Sequence, residues 1–324
     1  MNWRNILIDK VLIITGPTAC GKSDFAIKLA KKFDGEIISA DSQQIYKDMD
    51  IGTNKIKESE MDGIKHYGFD IKYPNEEYSV QEFKDMARNL ISEINSKNKM
   101  PIIAGGTGFY IDSILFDMNY GTSKKDENLR DKLTKDFQMF GNEYMYEKFC
   151  KIDPIEAKKY HPNETQRIIR AFETYKLTGK KPSELRKGLK NLNKNIKPIL
   201  FFINYKDRSK LYEKINLRVD QMINDGLENE FDKVVKNYQL SSFSKSLQAI
   251  GYKEFFPYKE NEISYDELRS EIKKNTRRYA KRQITWMKKY LKYDFSHLIY
   301  RDDNMDEKIL ENMEKIVKET YDLQ

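Results

Sequence analysis

The chain has 324 residues, 34% charged and 39% hydrophobic, with 58 Lys and Arg against 51 Asp and Glu for a net charge of +7. No apolar run approaches the ~20 residues of a membrane span, and the opening "MNWRNILIDKVLIITG" has no small-residue cleavage site, so no membrane partner and a cytoplasmic location are expected. Cys20, Cys150, His66, His161 and His297 are too few and too scattered for a disulfide framework or a zinc site, while the excess of basic residues leaves a polyanionic partner open.

In chain order, "KVLIIT" (10–15) reads as a strand that stops at Gly16, and "SDFAIKLAKKF" (23–33) follows with Phe25, Ala26, Leu29, Ala30 and Phe33 at helical spacing. "GEIISAD" (35–41) is the next strand, "VQEFKDMARNLISEINSK" (80–97) a helix, "MPIIAGG" (100–106) a third strand and "IKPILFFINY" (196–205) a fourth. Continuous apolar strands alternating with helices predict an α/β fold with a doubly wound parallel sheet. Between Asn119 and Asn195 only helical patterns occur: "DENLRDKLTKDFQMF", "GNEYMYEKFCKI" and "ETQRIIRAFETYKLTG". The expected organisation is therefore a core of 1–118 and 196–324 with a helical insertion domain at 119–195. After Lys206 the chain reads as mostly helical, ending in the basic "EIKKNTRRYAKRQITWMKKYLKY" (271–293).

Gly16, Pro17, Thr18, Ala19, Cys20, Gly21, Lys22 and Ser23 form G-x-x-x-x-G-K-[ST] directly after a strand and at the opening of a helix, the context in which that pattern cradles phosphates. Glycines let backbone N–H groups converge on phosphate oxygens, the helix N-terminus adds partial positive charge, Lys22 neutralises, and Ser23 is placed to ligate Mg²⁺, directly or through water. Cys20 reads more simply as a small loop filler than as a reactive thiolate. A nucleotide-hydrolysing enzyme of this type carries a second acid at another strand end. Here "MPIIA" runs into Gly105 and Gly106, and "ILFFI" into Asn204. Asp41, after "GEIIS", is the acid that closes a clean strand, and ligands gather at the carboxyl ends of such strands, so Asp41 should face the loop. Either it caps a turn or it serves as a base for an acceptor. These parts suit transfer from a phosphorylated donor, with a small-molecule or nucleoside kinase as the alternative.

Taken together, "GPTACGKS", "DSQQIYKDMDIGTNK" (41–55), "GGTGFYI" (105–111), "HPNETQRIIRAFE" (161–173), "QAIGYKE" (248–254) and "AKRQITWMKKY" (280–290) resemble, in order and spacing, the bacterial tRNA dimethylallyltransferases, also called tRNA isopentenyltransferases. The resemblance runs from about Val11 to Tyr290. It implies transfer of a dimethylallyl group from dimethylallyl diphosphate, with Mg²⁺, to N6 of adenosine 37, just 3′ of the anticodon, in tRNAs reading U-initial codons. It also implies a P-loop-type core whose insertion grips the tRNA anticodon stem-loop. A monomer is expected.

On this resemblance Asp41 is the catalytic base, Thr107 approaches the target nucleotide, and Arg218 contacts the diphosphate beside the loop residues 16–23. Asp41, Ser42, Gln43 and Gln44 lie where the adenine enters, since amides and carboxylates read base edges. Gln166, Arg167, Ile168, Ile169 and Arg170 fall in a tRNA-contacting segment, as do Arg130, Lys281 and Arg282. Arg277 and Arg278 extend the same basic stretch, where Tyr279 and Trp286 are either core or stacking residues. Cys20, Ser23 and Phe109 depart from the family's usual serine, threonine and leucine. The remaining alternative is an RNA-binding protein with a vestigial phosphate loop.

Overall fold

The computed structural model describes residues 8–118, 126–185, 191–301 and 305–323. The chain divides into two compact units, Met1–Leu115 with Lys194–Gln324, and Phe116–Asn193. The expected start of the insertion at 119 lies outside the described residues.

The first unit contains β1 (Asp9–Thr15), α1 (Lys22–Lys32), β2 (Gly35–Ser39), β3 (His66–Tyr67), α2 (Val80–Ser96), β4 (Met100–Gly105) and α3 (Gly108–Leu115). The second contains α4 (Glu127–Phe140), α5 (Asn142–Ile152), α6 (Pro154–Ala157), α7 (Thr165–Thr178) and α8 (Pro182–Leu185). The chain then returns to the first unit with β5 (Ile196–Asn204), α9 (Arg208–Asn224), α10 (Leu227–Tyr238), α11 (Phe255–Lys259), α12 (Tyr265–Met287), β6 (Ser296–Tyr300) and α13 (Asp306–Tyr321). All strands are parallel, in the order β3-β2-β4-β1-β5-β6.

β1 lies inside the sheet between β4 and β5, and its Val11, Leu12, Ile13 and Ile14 are wholly buried, as a strand covered by helices on both faces requires. Its register pairs Thr15 with Gly105 on one side and with Phe202 on the other, so the loops after β1, β4 and β5 leave the sheet at one edge. That edge is where Asp41 also emerges, two residues beyond β2.

Two strands escaped the sequence reading. β3 is only two residues long, and β6, which the mostly helical reading of residues beyond 206 missed, is an edge strand in which only Ile299 is buried. Helix limits are set by side-chain caps. Ser79 with Glu82 opens α2 and Ser264 with Glu267 opens α12 through reciprocal hydrogen bonds, each cap contributing about 1 kcal/mol.

The second unit has its own apolar core, in which Leu133 and Phe137 of α4, Met145 and Phe149 of α5, and Ile168, Ile169, Ala171 and Phe172 of α7 meet.

Candidate active site

The phosphate loop is tightly held. Gly21 caps α1 at φ 83°, a left-handed conformation that glycine adopts without strain, and a Cβ there would come within 1.5 Å of the Arg301 guanidinium. Ala19, at the turn of the loop, also has a positive φ of 63°, a costly conformation for a residue with a side chain. Cys20 is fully buried and burial pushes its thiol pKa up, which suits the loop-filler reading rather than a reactive thiolate. Behind the loop, Arg301 donates to the Cys20 carbonyl at 3.2 Å while its other nitrogens fork onto Asp306 at 3.1 and 2.7 Å.

A cavity of about 320 Å³ opens beside the loop, lined by Thr18, Lys22 and Ser23 on one side and by Asp41, Ser42, Gln43 and Gln44 on another, with Arg218, Tyr279, Arg282 and Gln283 among the rest. The phosphate cradle and the strand-end carboxylate thus share one chamber. Asp41 is oriented by accepting the Gln43 N–H at 2.9 Å. Thr107 receives the Ser42 N–H at 3.1 Å and gives its own N–H to Ala40 at 3.1 Å, tying the Gly-Gly-Thr-Gly turn to the segment that carries Asp41.

Arg218 donates to the Thr18 hydroxyl at 3.2 Å, and burial pulls its pKa down to about 10, with the charge of Asp41 acting the other way. Burial pushes the Tyr279 phenol well up, with Asp41 adding to the shift. Both groups therefore keep their protons at neutral pH. The two glutamines next to Asp41 differ. Gln44 is spent within the protein, accepting from Ser39 at 3.0 Å and donating to the Thr53 and Asn54 carbonyls at 3.3 and 3.1 Å. The buried Gln43 Oε1 has no hydrogen-bond partner among the described residues, which leaves an acceptor in the chamber wall.

The loop carrying the "DMDIGTNK" block is fixed by a carboxylate that sequence reading passed over. Glu230 of α10 accepts the N–H groups of Asp50, Ile51 and Gly52 at 2.8, 2.7 and 2.9 Å and the Tyr252 hydroxyl at 2.6 Å. Arg301 and Gln283 were likewise not singled out, and Tyr279 was read only as a core or stacking residue. Their contacts are made over long sequence separations to backbone atoms or loops, for which neither periodicity nor motif carries a signal.

In the second unit the expected tRNA-contacting set divides. Gln166 and Arg167 are exposed, the latter paired with Glu164 at 2.6 Å. Ile168 and Ile169 are wholly buried in the apolar core, which corrects the expectation that they touch tRNA: at 3.6 residues per turn these consecutive positions point inward. Arg130 and Arg170 both pair with the buried Glu173, each at 3.1 Å, so their guanidinium groups neutralise an interior carboxylate. On α12, Lys281 and Arg282 are exposed.

Residues 44–290 match the family model described as IPP transferase. A tRNA dimethylallyltransferase of Caldanaerobacter subterraneus subsp. tengcongensis is 47% identical over 296 residues, covering 91% of this chain and 92% of that protein. One from Clostridioides difficile is 45% identical, covering 86% and 89%. Among solved structures, a tRNA isopentenylpyrophosphate transferase of Bacillus halodurans aligns at TM-score 0.70 and 37% identity over 97% of each chain. A eukaryotic dimethylallyltransferase, described as acting on tRNA, aligns at TM-score 0.83 and 31% identity over 98% of this chain and 80% of its own. A family model matched over most of the sequence, and relatives covered almost end to end, establish that this chain belongs to the tRNA dimethylallyltransferase (IPP transferase) family.

Proposed function

We propose that the protein transfers the dimethylallyl group of dimethylallyl diphosphate to N6 of adenosine 37, next to the anticodon of tRNAs reading U-initial codons, and releases diphosphate. The observation that carries this reading is the shared chamber, lined both by Lys22 and Ser23 at the N-terminus of α1 and by Asp41. A phosphate cradle opposite a carboxylate suits a reaction in which the phosphates leave and a proton must be taken from the acceptor.

The exocyclic amine of adenine is a weak nucleophile because its lone pair is delocalised into the ring. As N6 bonds to the allylic carbon, Asp41 takes the N6 proton and the C–O electron pair leaves with the diphosphate. Positive charge on the carbon is delocalised over the allyl system, so the barrier depends on stabilising the leaving group. Backbone N–H groups of the loop, Lys22 and the half-buried Arg218, all lining the chamber, would supply that. Gln43 Oε1, unpartnered among the described residues, suits the second N6 hydrogen. Ser42 and Thr107 hold the segment carrying Asp41.

The donor set fits Mg²⁺ as a companion of the diphosphate. No three His, Cys, Asp or Glu side chains cluster among the described residues; the Ser23 hydroxyl, which lines the chamber, would be the protein's ligand, directly or through water. When bound, the ion neutralises charge building up on the departing diphosphate. For tRNA the exposed candidates are Gln166, Arg167, Lys281 and Arg282, and we infer a monomeric enzyme.

The test is mass spectrometry of nucleosides from unmodified tRNA bearing adenosines 36 and 37, incubated with the protein, dimethylallyl diphosphate and Mg²⁺. The reading requires an adenosine heavier by one C5H8 unit at position 37. Unmodified nucleosides, with both substrates bound, would remove it.

A further inference from the structure

We propose that Gln283 is a positioning residue that sets the gap between the leaving diphosphate and the acceptor amine. Gln283 lies on α12, is 5% exposed and lines the chamber. Its Oε1 accepts the backbone N–H of Thr18 at 2.8 Å, and its Nε2 donates to the Gly106 carbonyl at 3.1 Å. One carboxamide thus joins the phosphate loop after β1 to the Gly-Gly-Thr-Gly turn after β4. The orientation of the amide is unambiguous because a backbone N–H can only donate and a carbonyl can only accept.

Each end of the bridge continues toward a reacting group. On the donor side, Thr18 also holds Arg218 through its hydroxyl. On the acceptor side, Gly106 precedes Thr107, which receives the Ser42 N–H beside Asp41. A Cβ at Gly106 would lie 2.1 Å from Gln283 Nε2, so the amide packs directly on the turn's backbone. Tyr279, one helical turn earlier, lines the same chamber.

With its oxygen and its nitrogen each holding a backbone group and the side chain buried, Gln283 ties two loops together, unlike its exposed neighbours Lys281 and Arg282. What it controls is the spacing of two loops that must bring carbon and nitrogen together. Only a group of this length with an acceptor and a donor on one carbon satisfies both loops.

The proposal rests on the prenyl-transfer reading above, and wild-type turnover in the same assay keeps failure of one distinct from failure of the other. The rate constant for dimethylallylation is measured in single turnover, with enzyme in excess over tRNA and saturating donor, so that it counts only folded enzyme. Gln283→Met keeps the length and loses both hydrogen bonds; its rate constant should fall about 10- to 100-fold, the range for an ångström-scale misplacement, with KM for donor and for tRNA nearly unchanged. Gln283→Glu keeps the acceptor facing Thr18 but has no proton for the Gly106 carbonyl until its carboxyl is protonated. Its rate relative to wild type should therefore rise as pH falls, while the Gln283→Met ratio stays flat. Wild-type single-turnover rates in folded Gln283→Met, or a Gln283→Glu ratio that does not change with pH, overturn the proposal.

Discussion

At Thr18 the backbone N–H is taken by Gln283 and the hydroxyl by Arg218, so this residue holds the loop in place and leaves the N–H groups closer to α1 for phosphate. The same economy holds for Arg218, whose desolvated charge matters because burial has brought its pKa to about 10. A lowered pKa on a cation means that the charge is complete at neutral pH and is lost as pH rises through about 10. KM for the donor should accordingly rise above that pH in the wild type, and this rise should be missing in Arg218→Gln, whose KM is already high. Asp41, the proposed base, lines the same chamber. Asp41→Asn retains an oxygen for the Gln43 N–H but not the basicity, so kcat should drop by about 10²- to 10⁴-fold, the usual worth of a general base, while tRNA binding measured by filter retention changes little. Wild-type turnover in Asp41→Asn would remove it as the base. Asp41 and the loop were legible in the sequence because strand, turn and helix put them in a fixed local context. Gln283 and Arg301 were not, since their partners lie 265 and 281 residues away along the chain.

Among the elements, β1, β2, β4 and β5 were readable as apolar runs because each is covered on both faces. β6 was not, because an edge strand with one buried residue has no need of a continuous apolar pattern. The same logic explains α7, where Gln166, Arg167, Ile168, Ile169 and Arg170 are consecutive in a motif but divided between solvent and core by the helical period. α10 contributes through one residue. Glu230 gathers three consecutive N–H groups and a tyrosine hydroxyl, so its removal takes the partner from three partly buried donors, those of Ile51, Gly52 and Tyr252. Glu230→Ala should destabilise the protein by about 1–3 kcal/mol or more, seen in urea unfolding, and should also loosen the 50–52 turn, seen as faster amide exchange there. Unchanged exchange at residues 50–52 would show that the carboxylate does not order the turn.

For the whole molecule, a net charge of +7 favours a polyanion but does not say which cations meet it. Position separates them. Arg167 is exposed on α7 and paired with Glu164, which is itself partly exposed, whereas Arg130 faces the buried Glu173. Arg167→Ala should weaken tRNA binding and reduce the slope of log affinity against log salt by about one. Arg130→Ala should instead lower the thermal midpoint, because Glu173 loses one of two partners in a dry interior, with the salt slope nearly unchanged. Equal salt slopes for wild type and Arg167→Ala would place the RNA elsewhere. The proposed reaction is decided by the fate of the donor's phosphates, proposed to bind at residues 16–23, and a donor labelled separately in its prenyl carbons and in both phosphorus atoms tests it most directly. After one turnover with tRNA, the carbon label should be in RNA and both phosphorus labels together in free inorganic diphosphate. Phosphorus label attached to the acceptor, or carbon label released without entering RNA, would contradict it.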